Sequence, residues 1–118
     1  GALLRDYLRS RESLKVFFHL VDSRRGVVNE DRELLRVFRE SSCRAQYVIV
    51  LTKADKLGEG EAPTHRRAKA SVEAEIAECG LDPASVPVIL SSSETKLGRD
   101  EIWNYLRLAA LAPGAANN

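Results

Sequence analysis

Thr52, Lys53 and Asp55, with the serine pair Ser92 and Ser93, are the residues whose types and positions best suit chemistry in this chain. The apolar run Val48-Ile49-Val50-Leu51 ends abruptly in Thr52-Lys53-Ala54-Asp55. In an open α/β sheet, ligands bind outside the carboxyl ends of the strands, where such a polar turn would stand. A carboxylate there can accept two hydrogen bonds, from N1–H and the exocyclic amine of guanine. Adenine lacks that pair of donors and would leave the carboxylate desolvated and unpaired. Buried polar complementarity of this kind discriminates by roughly 10⁴-fold. The Lys53 stem can lie along the flat face of the base while its ammonium stays in water, and Thr52 would tie the turn to the rest of the pocket. The competing reading is an ordinary polar turn in which Asp55 caps the next segment, because short motifs recur by chance.

A second strand end follows at Pro87-Val88-Ile89-Leu90-Ser91-Ser92-Ser93-Glu94, with Gly98 opening a helical stretch soon after. Small side chains there let the backbone N–H of Ser93 approach a ligand carbonyl such as guanine O6. Read alone, this stretch is a serine-rich turn capping the last helix, since serine is a favoured cap. Two such strand ends with one helix between them favour the guanine reading over either motif by itself.

At this point the chain resembles the EngB-type (YihA-type) GTPases that assist ribosome assembly. The matching residues are Tyr7, Leu8, Arg11, Leu14 and Lys15, then Leu20-Val21-Asp22-Ser23-Arg24-Arg25-Gly26 and Asp31. They continue through Leu51-Thr52-Lys53-Ala54-Asp55-Lys56 to Ser92-Ser93-Glu94-Thr95-Lys96, Gly98-Arg99-Asp100-Glu101 and Trp103. The resemblance covers nearly the whole chain but only the second half of such a GTPase. It implies that residues 1–111 are the C-terminal half of a P-loop GTPase domain; residues 112–118 read from the sequence as a disordered tail. It further implies GTP or GDP as ligand, with Thr52, Lys53 and Asp55 holding the edge and face of the base and Ser92 and Ser93 closing the pocket. Mg²⁺ would join only with the N-terminal half. The implied partners are a maturing large ribosomal particle or its RNA.

The 118 residues contain no Gly-x-x-x-x-Gly-Lys-Ser/Thr loop to cradle the β- and γ-phosphates or offer a hydroxyl to Mg²⁺. Asp55-Lys56-Leu57-Gly58 fits the Asp-x-x-Gly pattern of a metal-side switch, but it overlaps the better base-reading match. Asp22-Ser23-Arg24-Arg25-Gly26 is one residue too long for that pattern. Hydrolysis is therefore not assigned to these residues. Two alternatives stand beside the guanine reading. One is a non-catalytic interaction module of the same fold, docking on protein or RNA. The other is a receiver-like domain in which Asp22 accepts phosphate beside Lys53; it would need an acidic pair on an earlier strand, which residues 1–14 do not offer.

Composition fits one small α/β domain, with 44% hydrophobic residues, 30% charged and a net charge of +1. That balance gives no global attraction to nucleic acid or membrane. No apolar run approaches the roughly 18 residues that a membrane span requires, and Gly1-Ala2-Leu3-Leu4 lacks the marks of a signal peptide. The expected location is intracellular, in cytoplasm or an organelle. Cys43 and Cys79 have no metal-ligand spacing and read as small buried thiols.

The elements that must position the candidate residues follow from hydrophobic period. Residues 2–11 read as a helix. Lys15 to Val21 reads as a strand covered on both faces, with His19 as a satisfied core histidine. Asn29 is expected to cap a helix to about Ser41, with Leu34, Leu35 and Phe38 as its stripe. Strands are expected at 47–51 and 88–90, a loop at 56–64, and helices at 64–78 (stopped by Gly80) and 99–111. The spacing of Ile102, Trp103 and Leu106 predicts a core-facing or half-buried tryptophan. Strand-helix alternation with short connections argues a parallel sheet with helices on both sides, a three-layer α/β/α arrangement. His65-Arg66-Arg67-Ala68-Lys69 is a candidate RNA contact outweighed by a solvated basic turn, and Arg24-Arg25 is the better surface pair. In the resembling fold the strand 15–21 is central, so the resemblance implies that here it is an exposed edge, without proline or internal charge to protect it, and that the chain self-associates through it or is part of a larger folded chain.

Overall fold

The computed structural model describes residues 15–57 and 61–111; the helix expected at 2–11 and the tail at 112–118 lie outside them. Three strands form one sheet: β1 (Val16–Asp22), β2 (Gln46–Thr52) and β3 (Val88–Leu90). Their order is β1-β2-β3 and both pairings are parallel. The helices are α1 (Asn29–Ser41), α2 (Glu61–Glu78) and α3 (Arg99–Leu111). Alternating side chains send the two halves of each strand to opposite faces. Val21, Tyr47, Ile49, Leu51 and Val88 meet Leu35, Val37 and Phe38 of α1 and Val72 and Ile76 of α2 on one face. Val48, Val50 and Ile89 meet Ile102 and Tyr105 of α3 on the other. The result is three layers, α/β/α, as the alternation of elements predicts. Fully buried side chains such as Leu35 and Ile76 each stabilise the fold by about 1.5–3 kcal/mol.

Some boundaries differ from expectation for identifiable reasons. α1 includes Asn29 rather than being capped by it: the Val28 N–H donates to Asp31 Oδ2 at 3.0 Å, and Asn29 Oδ1 accepts from Arg32 at 2.8 Å. α2 starts at Glu61, inside the expected loop, because Pro63 falls in the first helical turn, where its missing N–H costs nothing. Gly80, at φ +87°, ends it. Gly80 N–H donates to Ala77 O and Leu81 N–H reaches back to Ile76 O at 3.1 Å, closing the helix end.

His19 is a satisfied core histidine. Its Nε2 lies 2.8 Å from Asp31 Oδ1 and its Nδ1 2.6 Å from the Tyr47 hydroxyl. One tautomer satisfies all three groups: Nε2–H donates to the carboxylate and Tyr47 O–H donates to Nδ1. Burial pushes the Tyr47 phenol well above its ordinary range. This network fastens β1 and β2 to the start of α1. Cys43 is half-buried and Cys79 buried, both as free thiols.

Two expectations about packing hold only in part. β1 is not covered along its whole length, since Leu20 is 64% exposed. Among the described residues β1 pairs only with β2 and forms an edge of the sheet. Of the two readings of Trp103, core-facing or half-buried, the second holds: it is 51% exposed, and Leu106 is 41%. Ile102 and Tyr105, three apart on the helix, face the sheet instead, which turns Trp103 and Leu106 onto the outer flank. Among the described residues no helix is long and apolar enough to cross a membrane.

Candidate functional site

The parallel register aligns the carboxyl ends of the strands, with Asp22 opposite Thr52 and Leu51 opposite Leu90. The polar residues that follow are therefore side by side. β2 and β3 are stitched beyond their last apolar residues: Ser91 N–H donates to Leu51 O at 2.8 Å, and Ala54 N–H donates to Ser91 O at 2.9 Å. Ala54 is fully buried, so the turn 53–55 sits firmly on the sheet. Lys53 adopts φ +58°, a left-handed conformation uncommon for a residue with a side chain and worth attention where function is sought. Thr52 Oγ1 faces the Val21 carbonyl at 3.4 Å, tying the turn to the neighbouring strand.

Asp55 is the middle residue of a short 3₁₀ turn, Ala54–Lys56, and its side chain is 15% exposed. Ser92 Oγ donates to Asp55 Oδ1 at 2.6 Å, and Lys56 Nζ stands 3.6 Å from Oδ2. The Ser92 hydroxyl, first among several causes, holds the Asp55 carboxyl below its ordinary range. Ser92, 3% exposed, is itself saturated. Its Oγ accepts from the N–H groups of Glu94 and Thr95, each at 3.2 Å, while its own N–H donates to Leu97 O at 3.2 Å. The loop 92–97 is thereby folded around one hydroxyl whose single proton is directed at Asp55. Ser93 is exposed at the head of this loop. Among the described residues its backbone N–H has no acceptor.

The structure thus brings Thr52, Lys53, Asp55 and Ser92 to one end of the sheet, with Ser93 next to them in sequence. An open cleft of about 330 Å³ borders Ser91–Ser93, Leu97 and Trp103, but Thr52, Lys53 and Asp55 do not line it. The Asp55 carboxylate has acceptor capacity left after the Ser92 bond, since a carboxylate offers about four lone-pair positions.

Two participants were missed as site residues. His65, read as part of a basic turn, donates from Nε2 to the Ala54 carbonyl at 3.1 Å, bracing the turn from α2. His65 is already expected at the start of this helix, but nothing in its local sequence points to the Ala54 carbonyl. Asp22 ends β1 and meets Lys53 Nζ at 3.6 Å. Its Oδ1 accepts the Arg24 N–H at 2.9 Å; this bond, then the Arg24 side chain, holds its carboxyl at about 2. The receiver-like alternative anticipated the pairing of Asp22 with Lys53, but the charged groups that face Asp22 among the described residues are cations, not an acidic pair.

No family model matches the chain. Curated proteins do. A probable GTP-binding protein EngB of Symbiobacterium thermophilum is 37% identical over 108 residues, 89% of this chain and 42% of its own length. The corresponding protein of Rhodospirillum rubrum is 40% identical over 111 residues, 93% of this chain and 44% of its own. That of Bacillus subtilis is 29% identical over 107 residues, 91% and 50%. The chain spans about half the length of the curated relatives it matches. A parallel α/β/α sheet of this kind matches part of a P-loop GTPase fold. At 29–40% identity these matches support assignment of the chain to the EngB-type family of GTP-binding proteins.

Proposed function

We propose that this chain supplies the guanine-reading side of a GTP- and GDP-binding site, residues 1–111 corresponding to the C-terminal half of the GTPase domain. One observation carries the reading: the Ser92 hydroxyl fixes the Asp55 carboxylate at 2.6 Å where the ends of β2 and β3 meet. A carboxylate held ionised and oriented is what the paired N1–H and amine donors of guanine require. The exposed Ser93 N–H suits O6, and the Lys53 stem suits the face of the ring. Thr52 and Ser92 hold these groups in place. Guanine nucleotide is the ligand; the phosphates and Mg²⁺ fall to groups outside this half. In that division the chain alone hydrolyses no GTP, because phosphoryl transfer depends on positioning and charge stabilisation at the phosphates.

The relatives' name supports GTP binding, and the family resemblance supports a role in assembly of the large ribosomal particle, in an intracellular compartment. The test is a titration of the chain with GDP, GMP, guanosine and ATP. Without phosphate contacts, the three guanine ligands should bind alike with a Kd near about 1 mM, or roughly −4 kcal/mol, and ATP should not compete. Equal competition by ATP contradicts the reading.

A further inference from the structure

We infer that Asp22 is a positioning residue for Lys53, holding its ammonium at the end of β1 and so keeping it off the Asp55 carboxylate. The inference rests on the guanine reading above and deepens it. Two carboxylates flank the turn 53–55, and each has its own lysine: Asp22 with Lys53 at 3.6 Å and Asp55 with Lys56 at 3.6 Å. Lys53 is a point charge on a flexible four-carbon stem, 57% exposed at the side chain. Released from Asp22, it has Asp55 two residues away as the next carboxylate. Pairing there would occupy the acceptor meant for the base and take the stem from its face.

Asp22 is built to prevent this. Its carbonyl accepts the N–H groups of Arg25 and Gly26 at 3.1 and 2.9 Å, so the chain turns tightly around it. Oδ1 is committed to the Arg24 N–H at 2.9 Å, leaving Oδ2 toward Lys53. Arg24 also approaches Oδ2, at 3.4 Å, but it is half exposed and shares the carboxylate without displacing the lysine. The register sets Asp22 opposite Thr52, so that Lys53 follows one residue beyond its partner in the sheet. With the Asp22 carboxyl held at about 2, its charge is constant across the physiological range.

The experiment measures GDP affinity, and preference over ATP, for the full-length protein and for Asp22→Asn, Lys53→Ala and the double variant. Asn retains an oxygen to accept the Arg24 N–H, so only the charge is removed. Asp22→Ser, which can keep the same turn through its hydroxyl, serves as a second uncharged variant should Asn fail to fold. An exposed pair of this kind supports a weakening of about two- to fivefold on losing the charge. In the Lys53→Ala background the same change should have no further effect, and Asp22→Glu should restore affinity. The Lys53 ε-methylene NMR shift should move in Asp22→Asn, which a merely structural role would not require. Additive losses with guanine preference intact overturn the role of Asp22 alone. Absence of any guanine preference in the unmodified protein overturns this inference together with the guanine reading.

Discussion

Gly98 offers a sharp test of how the loop beside Asp55 is held. It adopts φ +77°, and a Cβ built on it would overlap the Leu90 carbonyl oxygen and lie 3.0 Å from Ile89 Cγ2. Gly98→Ala therefore incurs two costs. The left-handed conformation costs an L-residue roughly 1–2 kcal/mol. Forcing an extra carbon against backbone that is itself part of β3 costs about 1–3 kcal/mol more. The sum, about 2–5 kcal/mol, is a large part of the roughly 5–15 kcal/mol that holds a domain together. Gly26 provides the control. It has φ +74° but nothing within 4 Å of a built Cβ, so Gly26→Ala should incur the conformational cost alone. Urea unfolding of the two variants, with unchanged m-values, should place Gly98→Ala below Gly26→Ala by about 1–3 kcal/mol. Because the Ser92 N–H donates to Leu97 O next to the displaced residue, guanine affinity should fall in Gly98→Ala as well. Equal costs at the two glycines would show that the loop is not seated on β3 by close approach.

Other expectations follow from single contacts. Tyr47→Phe removes the hydroxyl that donates to His19 Nδ1 inside the core; leaving that nitrogen unpaired should cost about 1–3 kcal/mol in chemical denaturation, and a neutral result would mean the network is not formed in solution. The Asp22 carboxyl, lowered from 3.8 to about 2, contributes stability present above the unfolded value and lost as pH falls through the folded one. Carboxyl NMR should therefore show it titrating near pH 2, and a midpoint near 3.8 would remove the Arg24 and Lys53 contacts. The open edge of β1, with Leu20 exposed, should let this chain self-associate through residues 15–21. Light scattering should then show mass rising with concentration, suppressed in Leu20→Lys and Phe18→Lys; a strictly monomeric chain with protected β1 amides would contradict that.

The parts of the fold that were legible in the sequence are those set by local pattern. Apolar runs ending in polar turns marked β2 and β3, and a parallel register then brings any two such ends together, so the meeting of Asp55 with Ser92 followed from topology. His19 was legible because a lone histidine in an apolar strand must find partners, although Asp31 and Tyr47 could not be named in advance. What escaped depends on rotation and reach rather than type. Trp103 neighbours Ile102 in sequence, but Ile102 and Tyr105 are the residues of α3 that meet the sheet, which leaves Trp103 half exposed. The polar, Gly-rich stretch 56–64 reads as a loop although α2 already begins at Glu61, and the reach of His65 to the Ala54 carbonyl depends on tertiary packing that no local pattern encodes. Asp22 stands out in the turn Asp22-Ser23-Arg24-Arg25-Gly26 and, in the receiver-like alternative, beside Lys53; it is not counted with the base-reading residues, and the register with Thr52 is what puts it next to Lys53.

The central claim is that Asp55 reads guanine, and one substitution examines it directly. Asp55→Asn replaces an acceptor with an amide that can donate, which suits the C2 carbonyl of xanthine in place of the guanine amine. Ser92 can still donate to the amide oxygen, so the loop geometry at 2.6 Å need not change. Measured in the full-length protein as the ratio of GDP to XDP dissociation constants, the substitution should invert the preference from guanine to xanthine. An unchanged ratio would mean that Asp55 merely caps its turn and that the base, if bound at all, is read elsewhere.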